Sequence, residues 1–490
     1  MTTISVSNAG VLINEVNKST SSSLTQTVGS DVSNIAATTP STIVSLNTEK
    51  PSDSVYTKSA MFSENRQAWA NPIQDDISSI MARNSSRGRA EGLAAQWRGL
   101  GSALLGQFAA TGASYRQTLV NYDASGMKAS STKELDEAAL SRFSGTTAKV
   151  SLTVQTRSGK TVEISIAVDR GQTLGRNGLQ VEVKASGSLT DTERQELGQL
   201  AQGFDKVLEG LGRPNQPKID VSGLAAFDRS VLQSVDLSVR DPQEGQPLSS
   251  FNLHLGADRK TIAFKGLLGE LNLEVDAAMP LEQSSAQLQQ SSIAELLSKF
   301  DAAKERSHAD ERFVELFKDS FSQLHAVPGG VTAIAPAVAG AGSIQPLLSG
   351  LADFKASFSS EFERTGRFGS VVEMGKAYYE LNQDTSLKQD TQSDQLTAIQ
   401  TLSESLTANY MKSRGGVMLD TGAGNFDAYT VSDNTVITTT ASAIEDRLNS
   451  AQRNTEQNLL QTMKKLVNFK VEEQRDTPLN HTYIENLIHP

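Results

Sequence analysis

At 490 residues the chain is long enough for about two or three domains and a real core, and its 38% apolar share matches a folded body that carries long polar segments. The net charge of −11 is spread along the chain without a Lys/Arg run, which disfavours nucleic-acid and anionic-membrane binding. The lack of any cysteine excludes disulfides, thiol catalysis and thiolate metal sites. It suits a bacterial protein exported through a narrow conduit, where cross-links would obstruct unfolding, and an ordinary cytoplasmic protein as well.

Residues 1–60 are rich in Ser, Thr, Asn and Val and poor in charge and aromatics. Such a segment buries too little apolar surface to offset its ordering entropy, so a disordered arm is predicted. Lys18 is its first positive charge and no apolar run follows, so no Sec-type signal peptide is expected. The composition looks like the export signals of type III secretion substrates; a plain disordered tail is the alternative.

Residues 61–140 read as a helical segment. Leu93, Trp97, Leu100, Leu104 and Phe108 recur at three- and four-residue steps. Gly99 and Gly101 miss the dinucleotide-binding pattern, whose third glycine would fall at Leu104, and are read as sites of close helix packing. Asp75 and Asp76 suit the N-terminus of a short helix.

Residues 141–282 alternate. Val150, Leu152 and Val154, then Val162, Ile164, Ile166 and Val168, flank the turn Arg157-Ser158-Gly159-Lys160 and predict a β-hairpin, with Leu179, Val181 and Val183 on a third strand. Thr190 and Glu193 then form a capping box ahead of Leu197, Leu200, Phe204, Val207, Leu208 and Leu211, which predicts a helix closed by Gly210 and Gly212. Alternation resumes at Val235, Leu237 and Val239, at Phe251, Leu253 and Leu255, and at Leu271, Leu273 and Val275. This is an antiparallel sheet with one helix on its apolar face.

Residues 283–490 read as a helical region, with a Gly/Ala/Pro linker near 326–346. Its stripes are Phe313, Leu316, Phe317, Phe321 and Leu324; Leu347, Leu351, Phe354, Phe358 and Phe362; Leu396, Ile399, Leu402, Leu406 and Tyr410; and Ile444, Leu448, Ala451, Leu459, Met463 and Leu466. Such faces need partners, in a bundle or on another protein. No stretch qualifies as a membrane-spanning helix, since Pro328, Pro336 and Pro346 interrupt the longest uncharged run. The expected class is therefore α+β: a central antiparallel sheet with one packed helix, flanked by helical regions and the N-terminal arm.

Chemistry is sparse. Asp420-Thr421-Gly422-Ala423, preceded by Met418 and Leu419, is similar to the string around the catalytic aspartate of retropepsin-like proteases. That resemblance implies a strand-ended carboxylate sharing a proton with a second one. The chain has no second Asp-Thr-Gly, and its one Gly-Leu-Leu-Gly, Gly266 to Gly269, lies upstream instead of downstream. A turn is therefore expected at Asp420, Thr421 and Gly422, with a hydrolase as the alternative. His254, His308, His325, His481 and His489 show no metal-ligand spacing; His308 beside Asp310 and Glu311 reads as a solvated helix face. Neither a metal nor a cofactor is expected. The leading expectation is a non-enzymatic bacterial protein that binds a protein partner or self-associates through amphipathic helices, secreted or at the cell surface. Membrane contact by residues 326–352 is a further alternative.

Overall fold

The computed structural model describes residues 66–488 apart from 72–74, 86–91, 123–134, 136–142, 144–146, 171–176, 214–215, 244–245, 277–284, 327–339, 391 and 446. The arm expected over residues 1–60 lies outside the described residues, as does most of the linker expected near 326–346.

Alternating apolar residues demand a shared buried face, and the described residues answer with one antiparallel sheet of 15 strands. It begins with β1 (Arg66–Trp69) and β2 (Tyr115–Tyr122), followed in sequence by β3 (Ala148–Thr156), β4 (Thr161–Asp169) and β5 (Asn177–Ala185). These last three enter the sheet in reverse, in the order β2-β5-β4-β3-β6. β6 (Leu232–Arg240), β7 (Ser250–Leu255), β8 (Arg259–Gly266) and β9 (Gly269–Asp276) continue as a meander. So do β10 (Phe354–Thr365), β11 (Val371–Asp390), β12 (Gln395–Lys412), β13 (Phe426–Ile444), β14 (Arg447–Val467) and β15 (Lys470–Asn486).

The expected hairpin is present, with Val150 opposite Ile166, Leu152 opposite Ile164, and Gly159 supplying the positive φ of its turn. Helices α1 (Asp76–Ser85), α2 (Gly92–Trp97) and α3 (Leu100–Thr111) lie on the buried side of this first part of the sheet. The helix expected through 93–108 is thus two helices. Gly99 breaks it in the left-handed region at φ 72°, whereas Gly101 does allow close packing, since a Cβ there would stand 2.7 Å from the Phe204 ring. Helix α4 (Asp191–Leu211) carries the predicted capping box: Glu193 N donates to Thr190 Oγ1 at 3.2 Å and Thr190 N to Glu193 Oε2 at 2.8 Å. The short α5 (Ser222–Ala225) crosses α4 where Gly203 meets Gly223, too close for any side chain.

Beyond residue 283 the expected helical region holds only in part. Helices α6 (Ala286–Ser307), α7 (Glu311–Ala326) and the single turn α8 (Ala341–Ile344) are present, and Phe313, Leu316, Phe317, Phe321 and Leu324 of α7 are buried as expected. The stripes expected to be helical at 347–362, 396–410 and 444–466 are instead mainly the strands β10, β12 and β14. The flanking C-terminal region is therefore chiefly sheet, and the sheet carries several packed helices, not one. The physical reason is a shared spacing: residues four apart lie on one face of a helix and also on one face of a strand. Phe354, Phe358 and Phe362 satisfy both, and the positions that decide between them, Ala356 and Ser360, are buried but too small or polar to register as apolar. On β12 the even-numbered set from Leu396 to Tyr410 includes the buried polar residues Gln400 and Glu404, which mask the alternation.

The core runs along one face of the sheet beneath the helices. An aromatic cluster forms where α6 and α7 meet the sheet: Phe300 meets Phe317, Phe321 and Tyr379 edge-on at 4.8, 5.1 and 5.7 Å between ring centres. Truncating Phe300 to Ala is expected to lower the unfolding free energy by about 3–5 kcal/mol in urea denaturation followed by circular dichroism. The exposed Leu460→Ala is expected to change it by less than about 0.5 kcal/mol.

Candidate interaction surface

Register alignment follows the covered face strand by strand. Phe358, Tyr379, Leu406, Asp433, Leu459 and Leu479 form one row across β10 to β15. The first four are at most 2% exposed, Leu459 is half-buried, and Leu479 is 49% exposed. The helical roof therefore ends between β13 and β15 while the apolar face continues past it.

Two devices fix the limits of that roof. On α6, Lys299 Nζ lies 3.4 Å from Glu404 Oε2, Arg306 Nη2 3.3 Å from Glu404 Oε1 and Arg306 Nε 3.1 Å from Asp433 Oδ2. Gln457 on β14 donates to Asp433 Oδ1 at 3.2 Å. Both carboxylates are buried, so these ion pairs pin the helix to β12 and β13. At the other end of the strands, Ile344 of α8 and Leu348 pack on Leu396, Ala398, Ala441, Ala443 and Ala451. Side chains from the second half of the segment weighed for membrane contact are thus spent inside the protein.

Outside the roof stand β14 and β15. Every residue of β15 except Glu485 is exposed. Phe469, Val471, Leu479, Tyr483 and Ile484 are between 49% and 64% exposed, an unusual density of large apolar groups for a solvated ribbon. Charge divides the strand: Lys470, Glu472, Glu473, Arg475 and Asp476 occupy its first half, whereas Thr477 to Ile484 carries none apart from titratable His481.

Asp420, Thr421 and Gly422 head the turn between β12 and β13, where Asp420 bridges to Asn425. Asn425 Nδ2 donates to Asp420 Oδ2 at 3.0 Å and Ala423 N to Oδ1 at 2.9 Å, and these two bonds, in that order, hold its carboxyl below the usual range. This is turn geometry, and the partners of the carboxylate are an amide side chain and a backbone N–H.

His308 caps α6 at φ 60°. Its Nδ1 lies 2.5 Å from Glu373 Oε1, and its ring stacks on Tyr410 at 4.3 Å. Arg364 closes the group, reaching Glu373 Oε2 at 3.4 Å and donating to the His308 carbonyl at 3.1 Å. Asp310 turns to Arg312 and to the first turn of α7 instead of joining His308. The cluster clamps the α6–α7 corner to β10 and β11 beside a shallow depression of about 150 Å³. Among the described residues no group of three or more potential ligands could hold a metal ion.

A second set of titratable groups lies deeper. Burial, then the nearby Arg229, pushes the Lys260 amine down to about 8. Burial holds His325 down to about 4, aided by Lys260 and opposed by the bond from its Nδ1 to the Phe321 carbonyl at 2.9 Å. His325 keeps some accessible surface, but its Nε2 is enclosed and has no hydrogen-bond partner among the described residues.

Sequence reading did not find the ribbon, because β14 passed for a helix. The hairpin signal was also missing: the β14–β15 turn takes positive φ at Asn468 and Phe469, where Asn-Gly would be the recognisable pair.

Two outcomes follow from these charges. Arg306→Ala leaves Glu404 and Asp433 undercompensated and is expected to cost about 2–4 kcal/mol in urea unfolding. His325, neutral when folded, has an ordinary value of 6.5 once unfolded, so the unfolded chain takes up the proton first. Its contribution is complete above pH 6.5 and is lost as pH falls toward about 4. In His325→Phe the loss of stability from pH 7 to pH 5 is expected to shrink by on the order of 1–2 kcal/mol, read from urea midpoints at both values. Neither a protein-family model nor a curated protein matches the sequence.

Proposed function

We propose that the protein works by binding and assembly, and not by catalysis, and that the C-terminal ribbon of β14 and β15 is its contact surface. The observation that carries this is the row from Phe358 to Leu479, in which a face that is apolar apart from the ion-paired Asp433 passes from fully roofed to open. A face built like the core but left uncovered is best explained by a partner that covers it. The titratable groups point the same way, since Asp420, His308 and Glu373 are committed to a turn and a clamp.

The lack of cysteine in 490 residues and the Ser/Thr-rich composition of residues 1–60 support a bacterial protein that is exported or held at the cell surface. Fractionation of producing cells is expected to recover it outside the cytoplasm, and strictly cytoplasmic protein in secretion-competent cells would remove this part.

The contact surface is tested by a photo-reactive phenylalanine analogue at Leu479 or Tyr483, with exposed Gln290 on α6 as the control. Both ribbon positions are expected to give discrete cross-linked adducts in producing cells and Gln290 none. Absence of adducts at both ribbon positions would sink the proposal.

A further inference from the structure

The chain beyond β14 fixes which groups of β15 face outward. Leu487 N donates to Ala451 O at 3.0 Å, so odd-numbered residues turn their N–H and C=O toward β14 and even-numbered ones turn theirs away. Pro478, opposite Leu460, agrees: proline is tolerated where its nitrogen faces away from the paired strand. Gln474, Asp476, Asn480, Thr482, Ile484 and Asn486 therefore present an open row of donors and acceptors. Among the described residues no strand lies outside β15.

The two edges of the sheet are unequal. Among the described residues β15 has 17, whereas β1, at the far edge, has 4. Joining β15 of one copy to β1 of the next would leave most of the longer strand unpaired, so head-to-tail growth is disfavoured. An edge that pairs with its own kind closes after two copies.

Resting on the assembly role above, we propose that β15 pairs antiparallel with β15 of a second copy, about a two-fold axis at Asn480. Charge and proline select this register. Centring on Pro478 would oppose two residues that both lack a donor and would set Arg475 beside His481, and centring on Leu479 would set Glu473 against Glu485. Centring on Asn480 puts Arg475 opposite Glu485 of the other copy twice over, on the same face of the joined sheet. It also engages the uncharged half, Thr477 to Ile484, sets Asp476 opposite Ile484 and leaves Glu472 and Glu473 beyond the paired segment. The paired segment, 474–486, forms about a dozen backbone hydrogen bonds.

Sedimentation velocity of the full chain over about 1–100 µM is expected to show a monomer–dimer equilibrium. Thr482→Pro removes an outward donor without touching the β14 ladder, and is expected to raise the dissociation constant at least about tenfold with an unchanged circular dichroism spectrum. Arg475→Glu alone sets like charges together and is expected to weaken the dimer similarly, whereas Arg475→Glu with Glu485→Arg restores it to within about threefold. A chain that is monomeric throughout overturns the proposal, as does a dimer indifferent to Thr482→Pro or one that the charge exchange fails to restore. If a monomeric chain still yields Leu479 adducts with another polypeptide, self-pairing fails and the binding role stands. If Leu479 and Tyr483 give no adduct at all, that role fails too.

Discussion

One constraint organises this molecule: a single sheet that is greasy on one side must have that side covered. Along most of the strands the alternate residues Val150, Ile164, Leu237, Phe251, Leu273 and Phe358 are almost fully enclosed, and helices from three parts of the chain do the enclosing. Each helix lies where its own stripe finds such a row. The supply of helices runs out before the supply of strands, and what happens at that margin gives the molecule its most distinctive surface.

The margin is held by charge more than by grease. Glu404 and Asp433 occupy positions on the covered face where an apolar residue would pack more simply. Carboxylates there are costly unless matched, and the match comes from Lys299 and Arg306 on α6. Such a pair tolerates less slippage than a hydrophobic contact, because a shift of one helical turn would separate the partners. The stacked rings of His308, Tyr410 and Tyr429 fix the end of the same helix in a similar way.

Local rules in the amino-acid order revealed those parts of the fold where side-chain chemistry admits one reading. The hairpin around Gly159 and the helix capped by Thr190 and Glu193 belong to this group, since β-branched alternation and a capping box have no helical or extended double. α7 was equally plain from the stripe of Phe313, Leu316, Phe317, Phe321 and Leu324. The long C-terminal strands were hidden because their large residues often stand four apart, their small or polar buried residues break the pattern, and the turns at Asp394, Glu445 and Phe469 reach positive φ without glycine. The exposed ribbon of β14 and β15 was invisible for the same reason. Asp420, by contrast, drew attention through a short string whose surroundings decide its meaning, and those surroundings are a turn.

The meander from β10 to β15 also bears on how the chain comes apart. Most of these strands are joined to the next by a short turn, the longer β12–β13 connection over residues 413–425 being the exception, so a pull on the C-terminal end loads the hydrogen bonds of β15 one after another instead of all together. Peeling of this kind needs far less force than shearing two strands lengthwise, and once β15 is free the same geometry is presented by β14, then by β13. Leu487 and Ile488, packed on the cluster under α8, are the first contacts such a pull would break, and the ion pairs at Asp433 and Glu404 stand further in.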